Sequence, residues 1–204
     1  FYLFALGAFF VIFLITKQKS PPIKKSKDEL KKISLFDNRV WPFLIVSACF
    51  GICNAALVQT SSFYFQDVIE PNSTNFIALA SVGFMLTALG ILNGQLLIAD
   101  RLQTSPGSLI RLGILFIFFS LLGVANSTSL VHIYISLFFY GLGGGMLGPG
   151  ISASLSLSVG KENQGSASGF LGMVIPVGHV ISPFISMPLY TINPSYPYLL
   201  GSFL

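Results

Sequence analysis

From Leu130 to Gly160 the chain reads LVHIYISLFFYGLGGGMLGPGISASLSLSVG, a run with no charged side chain. As a helix it would be about 45 Å long, more than the ~30 Å hydrocarbon core of a bilayer. Its centre, Gly141–Gly150 (GLGGGMLGPG), holds the poorest helix formers. Gly costs about 1 kcal/mol and Pro about 3 kcal/mol against Ala in a helix interior. In water such a helix would melt. In hydrocarbon every backbone group must be bonded internally, so the helix persists, and small residues let a second helix approach closely. Gly141/Gly145 and Gly144/Gly148 are both G-x-x-x-G pairs. The segment therefore reads as a close-packed membrane helix, kinked at Pro149 and polar beyond it through Ser152, Ser154, Ser156 and Ser158. Such a half-helix near one membrane face suits a gate that packs shut or swings away; static packing is the alternative.

The rest of the chain has the same character. Only 9% of its 204 residues are charged, against about 25% in soluble domains, and the mean hydropathy is +0.79. The uncharged blocks are Phe1–Thr16, Val40–Gln66, Asn75–Ala99, Leu112–Leu130, Leu130–Gly160 and Gly165–Leu204. Asn193-Pro194-Ser195-Tyr196-Pro197 breaks the last one. This predicts helices at about 42–66, 75–99, 108–126, 129–158 and 166–192, the start of another at 196–204, and the end of an earlier one at 1–16. The fold class is all-α and integral to the membrane, with the chain expected to be truncated at both ends.

The connectors alternate in charge. Thr16–Val40 holds eight Lys and Arg, Asp100–Arg111 holds two Arg, and Lys161–Gln164 holds Lys161. The intervening connectors hold no basic residue, and Asp67 and Glu70 lie in the first of them. All basic residues thus fall on one side, which the positive-inside rule makes cytoplasmic. Residues 17–39 form a basic cytoplasmic linker before the bundle at 40–204. Within it Ser26-Lys27-Asp28-Glu29 fits a capping box, opening either a short amphipathic helix on the inner membrane surface or a solvated loop. Basic residues that flank spans, without interleaved aromatics, do not point to nucleic acid. Cys49 and Cys53 share a helix face with no third ligand nearby, so they read as packing residues, with no metal and no cofactor.

Two spans carry unusual polarity. The second half of Val40–Gln66 holds Asn54, Gln59, Thr60, Ser61, Ser62 and Gln66. Buried amides need partners, so these faces should meet water, a substrate or another helix. The span at 166–192 places His179, Ser182 and Ser186 on one stripe. His179 is the one titratable side chain expected deep in the membrane, either as a proton-handling group or as a neutral imidazole held by a neighbour. His132 falls at the end of its span, where an interfacial role is expected. Phe1–Ile15 and Leu112–Val124 are almost wholly apolar and suit lipid-facing positions.

Several stretches together resemble the C-terminal half of a major facilitator superfamily transporter. They are the basic loop, QTSSFYFQD (Gln59–Asp67), GILNGQLLIADRL (Gly90–Leu102), the Gly-rich span, KENQGSASG (Lys161–Gly169) and GHVISP (Gly178–Pro183). The likeness is to the proton-driven drug-efflux branch that includes tetracycline-type exporters. Asp100-Arg101 resembles the D-R core of that family's loop pattern G-x-x-x-D-R-x-G-R-R, although Gly94 lies six residues before Asp100 and no R-R pair follows. GHVISP is similar to the family's G-x-x-x-G-P motif, with Ser182 replacing the second Gly. In the family that motif lies in the fifth helix, so here it is a pseudo-symmetric echo.

The resemblance implies a six-helix half-bundle of a twelve-helix fold, a midplane substrate path and alternating access. It implies that the seventh and tenth helices line the path while the sixth and ninth face lipid. Asn54, Gln59, Ser61, Ser62, Tyr140, His179 and Ser182 would then line the path. Gly141, Gly144, Gly145, Gly148, Pro149, Gly178 and Pro183 would serve gating or helix packing, and Asp100 and Arg101 would form the loop motif docking the missing N-terminal half. The expected function is multidrug efflux by a proton-coupled antiporter, not an enzyme. Its expected partners are a small-molecule substrate, protons and the lipid bilayer, with no nucleic acid, as a monomer in a bacterial inner membrane. Transport of a small polar metabolite is the alternative, and a non-transporting scaffold the more distant one.

Overall fold

The computed structural model describes residues 33–71, 73–100 and 105–204, without the side chains of 97–100. The segment at 1–16, residues 17–32 of the basic linker with its capping box, Arg101 and the Asp100 side chain lie outside the described residues. The described chain is all-helical. In order come α1 (Trp41–Tyr64) continued by a π-helical turn (Phe65–Ile69), α2 (Phe76–Asp100), α3 (Pro106–Ala125), α4 (Leu130–Ser158), a 3-10 turn (Lys161–Asn163), α5 (Gln164–Ile192) and α6 (Tyr196–Phe203). Among the described residues five helices are long and apolar enough to cross a membrane.

Local chemistry sets the ends. Pro42, Pro106 and Pro197 occupy first-turn positions of α1, α3 and α6, where the missing N–H costs nothing and φ is already helical. Ser129 caps α4 by accepting from the His132 N–H. Before α1, the Asp37 carboxylate accepts from the Arg39 backbone N–H and pairs with its guanidinium at 3.0 Å. That carboxylate raises the Arg39 pKa, by hydrogen bonding first and by charge second. The pair is exposed, so it shapes the turn more than it stabilises the fold.

The helices associate in two sets. α4, the most deeply buried of the five long helices, packs along both α2 and α3. α1 packs along α5, and α6 touches α1, α3 and α5. The glycines of α4 divide by face. A Cβ at Gly141 or Gly145 would overlap the backbone carbonyls of Thr87 and Ile91 on α2. Reciprocally, Gly90 and Gly94 on α2 meet the carbonyls of Phe138 and Leu142. A Cβ at Gly143 would lie 2.8 Å from the Gly113 carbonyl oxygen of α3, and one at Gly150 would lie 3.1 Å from Leu109 Cβ. The third face is different: Gly144 has only the Phe50 ring of α1 near it, at 3.4 Å, and Gly148 has nothing within 4 Å. The two G-x-x-x-G pairs therefore do different things, one sealed against α2 and one meeting only the Phe50 ring and, at Gly148, open space. α4 is a single helix through Pro149.

α1 and α5 meet through their own small residues. A Cβ at Gly178 would lie 2.9 Å from the Gly51 carbonyl carbon, and one at Gly51 would lie 2.9 Å from the Ile175 carbonyl oxygen. α5 stays helical through Pro176, Pro183 and Pro188. The α3 span, expected to face lipid, does so on one side through exposed Ile114, Leu115 and Phe119; its other side, with Gly113, Ile117 and Leu121, is buried on the bundle. α2 and α5 are the least buried spans.

Overpacking a tight helix contact costs about 1–3 kcal/mol. Gly145→Ala should lower the melting temperature of the detergent-solubilised protein by several degrees, because its Cβ meets backbone. Gly148→Ala, with open space around it, should hold or raise that temperature through helix propensity. Equal effects at the two sites would contradict the division of faces.

Candidate functional site

The polar residues of α1 and α5 converge along their shared seam. Asn54 Nδ2 lies 3.5 Å from His179 Nε2, and His179 Nδ1 lies 3.0 Å from the Ile175 carbonyl oxygen one turn back. A carbonyl only accepts, so Nδ1 carries a proton and donates to it. In a neutral imidazole Nε2 is then the acceptor for the Asn54 amide. Ser182 is fully buried and its Oγ donates to the Ile52 carbonyl at 3.0 Å. Gly178 and Gly51 allow this approach, since a side chain at either would separate the helices and break both cross-helix contacts.

Asn54 is half-buried and follows Phe50 by one turn on α1. Phe50 stacks on Tyr140 of α4, with ring centroids 6.4 Å apart and planes at 20°, and it lies against Gly144. Tyr140, Gly144 and Gly148 follow one another at helical spacing on α4. Phe50 thus reaches the Gly144 face of α4, while Asn54 and His179 lie one turn further on at the α1–α5 seam. The patch combines an aromatic ring, an amide and an imidazole, with the ring against a small-residue position of α4.

The other sequence-predicted path residues are less accessible. Tyr140 is only 2% exposed, and its Oη has no hydrogen-bond partner among the described residues. Ser61 is buried and its Oγ donates to the Leu57 carbonyl, a local bond that occupies its proton. Ser62 is half-buried. Gln59 Oε1 is buried without a partner among the described residues, as is Ser186 Oγ on α5. Buried orphans of this kind are costly in a membrane, and both sit on helices of the same seam. Pro149 is exposed and Pro183 half-buried. The thiols are free, with Cys53 buried and directed at the Gly201 carbonyl. Among the described residues no cluster of His, Cys, Asp and Glu could hold a metal ion.

Sequence reasoning missed two features. Phe50 was one of many phenylalanines in the chain, and only its stacking on Tyr140 and its contact with Gly144 single it out. The second is the link at the seam's far end, where Tyr190 Oη donates to Asp67 Oδ2 at 2.9 Å. Asp67 sits in the π-helical turn, and the extra residue per turn rotates it relative to an ideal helix. No sequence pattern announced that turn. Thr60 and Tyr198 also join across α1 and α6, at 2.8 Å.

If Asn54 and His179 support one another, their substitutions should not be additive. A double-mutant cycle of Asn54→Ala and His179→Ala, read by thermal or denaturant unfolding in micelles, should give a coupling of about 0.6 kcal/mol. Zero coupling would mean that the 3.5 Å contact carries no energy. The family model of the Major Facilitator Superfamily matches residues 1–183 of the chain. No curated protein matches it.

Proposed function

Because the chain belongs to the Major Facilitator Superfamily, whose members are membrane transporters, we propose that it exports amphipathic drugs in exchange for protons. In this reading it is the C-terminal half of an alternating-access pathway. The residues at 1–16 end the sixth helix, those at 17–39 form the linker, and those at 40–204 form the bundle. The protein acts as a monomer in a bacterial inner membrane, with its basic connectors cytoplasmic and Asp100-Arg101 docking the N-terminal half.

The patch of Phe50, Asn54 and His179, with Phe50 against Gly144, carries the proposal. An aromatic ring next to an amide suits a solute with an apolar body and a few polar groups. Asn54 is the contact residue. His179 orients it, and its two engaged ring nitrogens fit a neutral imidazole better than a proton carrier. The moving surface is Gly144 and Gly148, because Gly141 and Gly145 are sealed against α2. Gly178 holds the α1–α5 seam, and Pro183 lies in the same stretch of α5. The coupling carboxylate belongs to the N-terminal half.

The same amide and imidazole also favour a second reading, transport of a small polar metabolite, since among the described residues no acidic side chain stands in the patch to attract a cation. Everted vesicles holding the full-length protein and an inside-acid gradient separate the two. Drug/proton antiport predicts that lipophilic cations dissipate the gradient seen by a pH dye. Failure of every cation, with the gradient intact, moves the assignment to a polar solute.

Where cations do exchange, Asn54→Leu should raise KM about tenfold, the equivalent of one lost hydrogen bond of about 1.4 kcal/mol. His179→Gln should keep the pH profile of transport. A shifted profile would make His179 a proton carrier.

A further inference from the structure

The α3–α4 flank holds a cavity of about 360 Å³ that the transport reading does not use. Its inner end is aromatic: Phe116 and Phe139 stack with centroids 5.8 Å apart and planes 3° from parallel. Phe119 and Ile135 stand along it, 65% and 52% exposed. Gly123 forms its floor, where a Cβ would lie 2.5 Å from Ser136 Oγ. The hydroxyls in the wall are already engaged, since Ser120 donates to the Ser136 carbonyl and Ser136 to the His132 carbonyl. A ligand therefore meets an apolar surface over most of the cavity.

The rim differs. His132 lines it, in the first turn of α4, and its imidazole makes no hydrogen bond among the described residues. Phe139 lies seven residues further along α4, about 10 Å deeper. The cavity thus runs from a free N–H donor at the membrane interface to stacked phenyl rings in the hydrocarbon. In either protonation state the imidazole retains an N–H. Neither α3 nor α4 contains Asp or Glu, so no carboxylate of these helices opposes an anion or pairs with an ammonium.

This geometry points to a lateral binding site for a phospholipid, with its phosphodiester at His132 and an acyl chain laid along Ile135, Phe119, Phe116 and Phe139. The surrounding bilayer supplies such amphiphiles. The polarity gradient selects the orientation, and the imidazole N–H selects a lipid with a phosphodiester over one without. The site is separate from the α1–α5 seam and does not depend on what the protein transports.

The test counts bound lipid by native mass spectrometry. Delipidated full-length protein in detergent is titrated with phosphatidylglycerol and, separately, with diacylglycerol, which has no phosphate. One phosphatidylglycerol should bind about tenfold more tightly than diacylglycerol, as one charge-assisted hydrogen bond allows. His132→Ala should bring the two lipids to within about twofold. Ile135→Trp fills the cavity from an exposed position, so it should abolish the tight site while leaving the lipid-free melting temperature unchanged. Equal affinities in the unsubstituted protein would overturn the assignment. So would a tight phosphatidylglycerol site that survives both substitutions, or displacement of the lipid by a lipophilic cation in preference.

Discussion

Backbone contact along α4 is the constraint on which the bundle rests. Lipid tails are as apolar as leucine, so helices in hydrocarbon gain nothing from hiding apolar side chains. They associate where surfaces approach closely enough for dispersion and polar contact to add up. Gly141 and Gly145 against Gly90 and Gly94, and Gly143 against Gly113, bring carbonyls of one helix to the Cα of the next. The helix propensity that these glycines forgo is returned as packing. Without the contacts, α2 and α3 would have no reason to sit on α4.

The second seam uses the same device for another purpose. Gly51 and Gly178 bring α1 and α5 close enough for Ser182 to reach the Ile52 carbonyl and for Asn54 to reach His179. Small residues come first, and polar contacts follow because the distance is already short. His179 is held at both nitrogens, so its position is set by the backbone of its own helix and by an amide across the seam. Tyr190 and Asp67 fasten the far end. The seam is therefore tied at its middle and at one end.

Much of the fold could be read from the sequence. Long uncharged runs must be helices in a bilayer. The break at Asn193–Pro197 separates α5 from α6. The polar stripe of α5 was visible as a period, since His179, Ser182 and Ser186 recur at helical spacing. What faced the stripe was not visible. Spacing gives the face of a residue on its own helix but not the neighbour that the face meets. Tyr140 illustrates the gap: its position on α4 suggested the path, and the fold buries it against Phe50.

The sequence by itself determined the membrane environment, the all-helical class and the approximate spans, because composition and backbone hydrogen bonding act locally and leave hydrocarbon few options. Only the tertiary structure decided which glycines are sealed and which are open. It also decided that Phe50 joins Asn54 and Gly144, and that His132 stands at the mouth of a cavity. These depend on the rotation and depth at which one helix meets another. That is a property of pairs of helices, set by many small contacts at once, and no single stretch of chain encodes it.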